Sequence, residues 1–350
     1  MHTQSRLSLF SIIFFGVCSH SVAQSNDSLQ RASEHHLRNI RQLTFGGTNA
    51  EAYLSFDDSS VIFQSTRPPF SCDQIFTMNL DGSNQRLVST GKGTTTCSYF
   101  YPDGQHILYS STHGFNESCL PRPDKSRGYV WAVYNAYEIY RANADGSGLT
   151  PLATSPAYDA EATVSPKGDR IVFTSSRDGD LELYTMKLDG SDIKRITFEP
   201  GYDGGAFFSW NGKRLVYRAN HPSDSTSLSE YKQLLGDQLV KPTRMEIFVC
   251  DTDGANRRQL TRNGAANFAP FFHPSDKQII YSSNAGDPRG RIFQLHLMSD
   301  DGTSDDQVTY AGSFNAFPMF SRDGRKLVFV SNRNARSSYE FNVFVADWVE

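Results

Sequence analysis

The chain has 350 residues, with 34 basic and 38 acidic side chains and a formal net charge of −4. That balance lacks the basic stripe a nucleic-acid binder needs. With 38% hydrophobic and 21% charged residues, the chain is neither disordered nor fibrous. Its aromatic share of 13%, including 25 Phe and 16 Tyr, leans toward β-structure.

The first elements are an address and a lead-in. Residues 1–23 carry Arg6, an apolar run over 7–17 and a small-residue approach to Ala23, the pattern of a secretory signal cut after Ala23. The apolar run makes about 16 Å of helix, too short for a bilayer core of about 30 Å, so no membrane span is expected. Residues 24–37 read as a flexible segment before the folded part, 38–350. The mature chain is expected in the periplasm or secreted, in an oxidising compartment.

Past residue 40 one pattern repeats: an apolar strand, a Ser-Pro-Asp-Gly-like turn, a second strand ending in Ser-x-Arg, a third strand, an Asp-Gly turn and a short Leu-Thr strand. The first turn falls at 55–58, 101–104, 165–168, 209–212, 273–276 and 321–324. The second recurs at Asp81, Asp145, Asp189, Asp253 and Asp301. Asp-Gly between apolar runs is a strong hairpin signal, since both residues tolerate positive φ. A period of 44–48 residues, lengthened to 64 in repeats two and four, fits four strands per repeat with two insertions, about 113–136 and 221–244.

In repeat three the strands are predicted at 161–166, 170–176, 181–188 and 193–198. The first strand of each repeat is apolar on both faces close to its turn, with Leu54, Phe100, Val164, Phe208, Phe272 and Phe320 in one column. Burial on both faces suits the innermost strand of a propeller blade. The sixth repeat stops after its third strand, at 342–348, and residues 39–45 match the missing fourth. The prediction is an all-β, six-bladed β-propeller with four-stranded blades, closed by an N-terminal strand that completes the C-terminal blade. An open array would leave exposed edges.

The repeated turn-and-strand pattern, over about residues 38–350, resembles the TolB-type, WD-like β-propeller repeat of exported bacterial proteins. That resemblance implies a binding scaffold, with a protein or peptide partner, and does not imply a reaction. Related propellers also accompany exported peptidases, so an accessory subunit of a peptidase is one alternative. A metal-assisted hydrolase or lyase at the channel mouth is another.

Six residues before each first turn stands a polar column: Asn49, Thr95, Asp159, Asp203, Asn267 and Asn315. Two positions on come Glu51, Cys97, Glu161, Gly205, Ala269 and Phe317. Since the first strand lines the axis, Asn49, Glu51, Asp159, Glu161, Asp203, Asn267 and Asn315, joined by Arg218, are expected to ring one mouth of the channel and bind a polar ligand. Converging carboxylates and amides also suit a divalent cation; otherwise no cofactor is expected. Alternatively, the ring satisfies loop backbone and channel water. In the Ser-x-Arg column Arg67, Arg177 and Arg333 read as structural, whereas His113 and His221 depart from arginine. With Glu51 and Glu161, these histidines are the candidate ligands for a transition metal.

Both insertions follow second strands and are expected over the same mouth. The first offers Tyr129, Trp131 and Tyr134 for recognition; the second carries an amphipathic helix within 227–240. One disulfide is expected among Cys72, Cys97 and Cys119, its pairing open, and Cys250 reads as a buried thiol. No nucleophile elbow, His-Glu-x-x-His pair or phosphate loop occurs. The reading is a non-catalytic, monomeric exported propeller that binds a peptide, protein or polar ligand at the insertion-bearing mouth.

Overall fold

A computed structural model describes residues 29–350; the predicted signal segment lies outside the described residues. Six four-stranded antiparallel sheets form the six blades. Blade three runs Asp159–Val164, Ile171–Ser175, Glu182–Met186 and Lys194–Arg195 from axis to rim. Its outermost strand is only two residues long, with Tyr184 opposite Arg195 and Thr185 opposite Lys194. The innermost strands are largely buried, and Tyr202–Phe208 in blade four is buried at every position. Each first turn therefore lies on one face of the ring, and the links from second to third strands lie on the other.

Ring closure follows the predicted scheme. Leu37–Gln42 pairs antiparallel with Asn342–Trp348, Leu37 opposite Trp348 and Gln42 opposite Phe344. The strand starts and ends a few residues earlier than 39–45, with a bulge at Asn39 (φ 50°). His36 stacks on Trp348 at 4.7 Å. The expectation of a flexible segment over 24–37 does not hold from Leu29 onward. Glu34 is fully buried; it accepts from the backbone N–H of Tyr310 and Ala311 and pairs with Arg333 at 3.0 Å. A carboxylate taken out of water needs such a set of donors, and supplying them pins the lead-in to blade six.

Hairpins at the rim lock neighbouring blades. At the Asp-Gly turns the aspartate accepts from residues two further on, as Asp81 does from the N–H and hydroxyl of Ser83. Gly82 (φ +86°) brings its backbone so near blade six's outer strand that a Cβ would stand 2.9 Å from the Leu43 carbonyl oxygen, so glycine is required there for both reasons.

The insertions fold on each other. Trp131–Ala132 from the first pairs with Leu239–Val240 from the second, forming a seventh, two-stranded sheet. The helix in the second insertion spans Ser225–Gly236, not the full 227–240. Asp224 caps its start, accepting from the N–H of Thr226 and Ser227. Gln238 in the left-handed region (φ 58°) ends the helical path, which frees Leu239 and Val240 to form the strand. The helix docks through Tyr231, whose hydroxyl donates to Asp180 and lies 2.7 Å from the Gly201 carbonyl oxygen. A disulfide joins Cys72 to Cys119 and ties the first insertion to blade one; Cys97 and Cys250 are buried free thiols.

Candidate functional site at the roofed channel mouth

Every innermost strand has a register shift one residue past the polar column, between Ala50 and Tyr53 in blade one and at the matching places in the other five. The residue at the shift has positive φ in all six blades: Glu51 (49°), Cys97 (53°), Glu161 (57°), Gly205 (59°), Ala269 (46°) and Phe317 (54°). Such bulges re-aim a side chain, and here they turn these six positions onto the axis. Non-glycine residues reach this conformation at a cost of about 1 kcal/mol or more each, which the ladders on either side sustain.

All six line a small axial cavity of about 20 Å³, and Glu51, Cys97, Glu161 and Phe317 also line a larger one of about 310 Å³ that continues from it. The cavity is blind. Below it Tyr53, Tyr99, Phe207 and Phe271 meet edge to face, with ring centroids 5.3–6.0 Å apart, and all are buried. The inserted sheet is its roof: Trp131 packs on Phe268 at 5.0 Å and lies over the Arg218 guanidinium at 5.2 Å. Tyr129, Tyr137, Tyr158, Tyr202, Phe293 and Phe314 complete the aromatic walls.

Its floor is ionic. Glu161 accepts from Thr174 Oγ1 (2.8 Å), Tyr202 OH (2.9 Å) and the Gly205 N–H (3.0 Å), and pairs with Arg218 Nη2. Burial works against the Arg218 charge, but Glu161 and the neighbouring acids outweigh it and hold its pKa above the usual arginine value. Arg218 Nε is buried without an acceptor among the described residues. Glu51 has no such company. Among the described residues it makes no ion pair, and burial, then the charge of Glu161, push its carboxyl up to about 7 against the help of the Cys97 thiol and Arg218. The Cys97 thiol is itself pushed far up by burial and the two glutamates, which keeps it protonated and inert.

The structure divides the predicted ring. Glu51, Glu161 and Arg218 line the cavity together. Asn49, Asp159, Asp203, Asn267 and Asn315 do not: all are buried between blades. Their backbone N–H groups bond to the start of the preceding blade's third strand, as Asn49 does to the Phe341 carbonyl and Asn315 to that of Phe293. Their side chains meet the Ser-x-Arg column: Arg67 donates to Asn49 (2.7 Å), Arg177 to Asp159 (2.7 Å) and Arg333 to Asn315 (3.2 Å). Each of these arginines holds the polar residue of its own blade, and that residue's backbone N–H makes the link to the blade before. His221 takes the arginine's place opposite Asp203 at 3.0 Å and also meets Glu199. Burial lowers its pKa, but the two acids prevail and raise it. His113 bonds to Ser111 and stacks on Tyr140 at 4.4 Å. Neither histidine lines the cavity, and no group of three or more His, Cys, Asp or Glu among the described residues is arranged to hold a metal. Arg218 pairs with Glu161 rather than with Asp203.

Sequence reasoning missed most of the aromatic wall. A signal existed: an aromatic residue directly precedes the polar column in blades three, four and six, at Tyr158, Tyr202 and Phe314. It also missed where exposed aromatics gather. Phe45, Phe198 and Tyr310 lie in links entering first strands, and Phe115, Tyr129 and Tyr339 in links from second to third strands, each 45–75% exposed. All six lie on the roofed face of the ring, and no other large aromatic among the described residues is exposed.

Residues 110–240 match the family model described as the TolB beta propeller domain. Over that stretch, a little over a third of the chain, the six-bladed propeller resembles the TolB family. Solved structures similar to this propeller include a putative TolB from Agrobacterium tumefaciens, at 16% identity and TM-score 0.60, covering 89% of this chain and 97% of that one. TolB from Acinetobacter baumannii, at 18% identity and TM-score 0.55, is covered over 53% of its length by 74% of this chain, so the chain spans about half of that relative. An oligogalacturonate lyase in complex with manganese, at 13% identity and TM-score 0.53, covers 88% of this chain, which spans 80% of the lyase. At these identities the likeness reports the fold alone. No helix among the described residues is long and apolar enough to cross a membrane.

Proposed function

We propose that this TolB-like propeller is an exported, non-catalytic binding protein that takes a peptide segment at the roofed mouth of its axial cavity. One observation carries the reading: two insertions from separate blades pair with each other over a blind, aromatic-walled cavity whose floor holds Glu51, Glu161 and Arg218. A volume of about 310 Å³ is at the small end of ligand pockets, enough for one or two residues of a chain and far too small for a folded domain. The exposed aromatics on the same face extend the contact area for the remainder of the partner, in the way aromatic anchors do at interfaces. The disulfide that fixes the first insertion accords with an oxidising location, periplasmic or secreted.

Equilibrium dialysis of the mature chain against a random short-peptide library tests this. Bound peptides, read by mass spectrometry, are expected to be enriched by the native protein and lost in Trp131→Ala with an unchanged melting temperature. A library that emerges unenriched overturns the proposal.

A further inference from the structure

Resting on that reading, we infer that the cavity is built for the free amino end of a polypeptide, with the α-ammonium on Glu51, the first carbonyl oxygen on Arg218 and an apolar first side chain against the aromatic walls. The argument is one of charge and unfilled hydrogen bonds. Glu161 and Arg218 neutralise each other, and Glu161 is further saturated by Tyr202, Thr174 and the Gly205 N–H. Asp73, the next acid near Glu51, is occupied behind the wall by Thr66 and Gln64. Glu51 is left as the one cavity-lining carboxylate without a cation, so the floor carries one uncompensated negative charge when Glu51 is ionised. A buried charge in that state requires a partner, and none comes from the protein's own described residues.

The complementary ligand therefore brings one positive charge. It also brings an acceptor, because Arg218 spends only Nη2 on Glu161 and Tyr202, while Nη1, which unlike Nε is not sealed from solvent, donates to no acceptor among the described residues. That acceptor is neutral, since the arginine's charge is already matched. An α-ammonium followed by an amide carbonyl has this pattern. A free amino acid, with a full carboxylate, overfills it, and an acylated N-terminus lacks the charge.

The test is isothermal titration of the mature chain with three probes at pH 7.5: L-phenylalaninamide, L-phenylalanine and N-acetyl-L-phenylalaninamide. The amide is expected to bind, the free amino acid less tightly, and the acetylated amide at least tenfold more weakly. In Glu51→Gln, checked for an unchanged fold by its melting curve, the amide and its acetylated form are expected to bind alike. The acetylation contrast is read on the native protein and does not depend on any variant folding. Acetylated and free-amine probes binding equally well to the native protein would overturn the amino-end assignment while leaving the cavity reading standing. Enriched peptides in the dialysis experiment that all carry blocked amino ends would overturn it equally. If neither the probes nor the library bind, both readings fall together.

Discussion

Arg218 occupies the space in which a side chain on Gly205 would stand. A Cβ built on Gly205 collides with the Arg218 guanidinium, although the backbone there is the same bulge that carries Glu, Cys, Ala or Phe in the other blades. The missing side chain in blade four is what admits the arginine from the adjacent strand to the axis.

Gly205→Ala is therefore expected to be far worse than the change of one methyl group suggests. It adds left-handed strain at φ +59° and pushes Arg218 off Glu161, and breaking a buried ion pair is strongly destabilising. Together they are expected to cost about 2–4 kcal/mol in urea unfolding. The reciprocal change at an equivalent bulge, Ala269→Gly, is expected to stay within about 1 kcal/mol of the native protein. Equal effects at the two sites would show that the collision with Arg218 does not matter.

Glu51 gives a pH signature with a definite sign. Its folded-state pKa of about 7 lies above the ordinary 4.5, so the folded protein favours the protonated carboxyl. Stability is expected to fall as pH rises from about 4.5 to 7 and then to level off. A displacement of that size is worth roughly 3 kcal/mol at most. Glu51→Gln should remove this contribution: the variant is more stable than the native protein above pH 7, and the two converge below pH 4.5. Parallel stability curves from pH 4 to 8 would contradict the assignment.

The lead-in before the closing strand bears load. Glu34 and Arg333, at most 3% exposed, are partners 299 residues apart in sequence. Glu34→Ala leaves the arginine buried without its anion and is expected to cost about 3–5 kcal/mol, seen as a lowered melting temperature. Replacing both with apolar residues of similar volume should recover most of that loss. If the single and double variants melt together, the pair has no coupling.

The Cys72–Cys119 bridge closes a separation of 47 residues, and replacing both cysteines by serine is expected to cost about 2–4 kcal/mol. Hydrogen exchange should locate the loosening in residues 113–136 and spare the inner strands. Uniform loosening of all six blades would place the bridge's role in the ring instead.

Much of the ring was legible from residues alone because its signals are local and repeated: Asp-Gly turns, doubly apolar first strands and an unpaired C-terminal edge beside an orphan N-terminal strand. The polar column was visible for the same reason, but its direction was not. Asp159 and Glu161 would share a face in a regular strand, and it is the bulge at Glu161 itself, between Ala160 and Thr163, that turns the second carboxylate away from the first. The carboxylates one alternation apart thus divided into a blade clasp and a cavity floor. The pairing of Trp131 with Val240 was hidden by distance along the chain. The helix end was misplaced because Gln238, an ordinary helix former, is pulled into a left-handed turn by the strand it leads into.

The six axial bulges are made by the strand ladders and not by the side chains they display, since acid, thiol, glycine, alanine and phenylalanine all occupy the same backbone. Architecture and ligand preference are thereby largely decoupled: Gly205 beside Arg218 apart, the hub is a rotary set of slots, and exchanging what fills them rewrites what the pocket selects without asking the ring to refold.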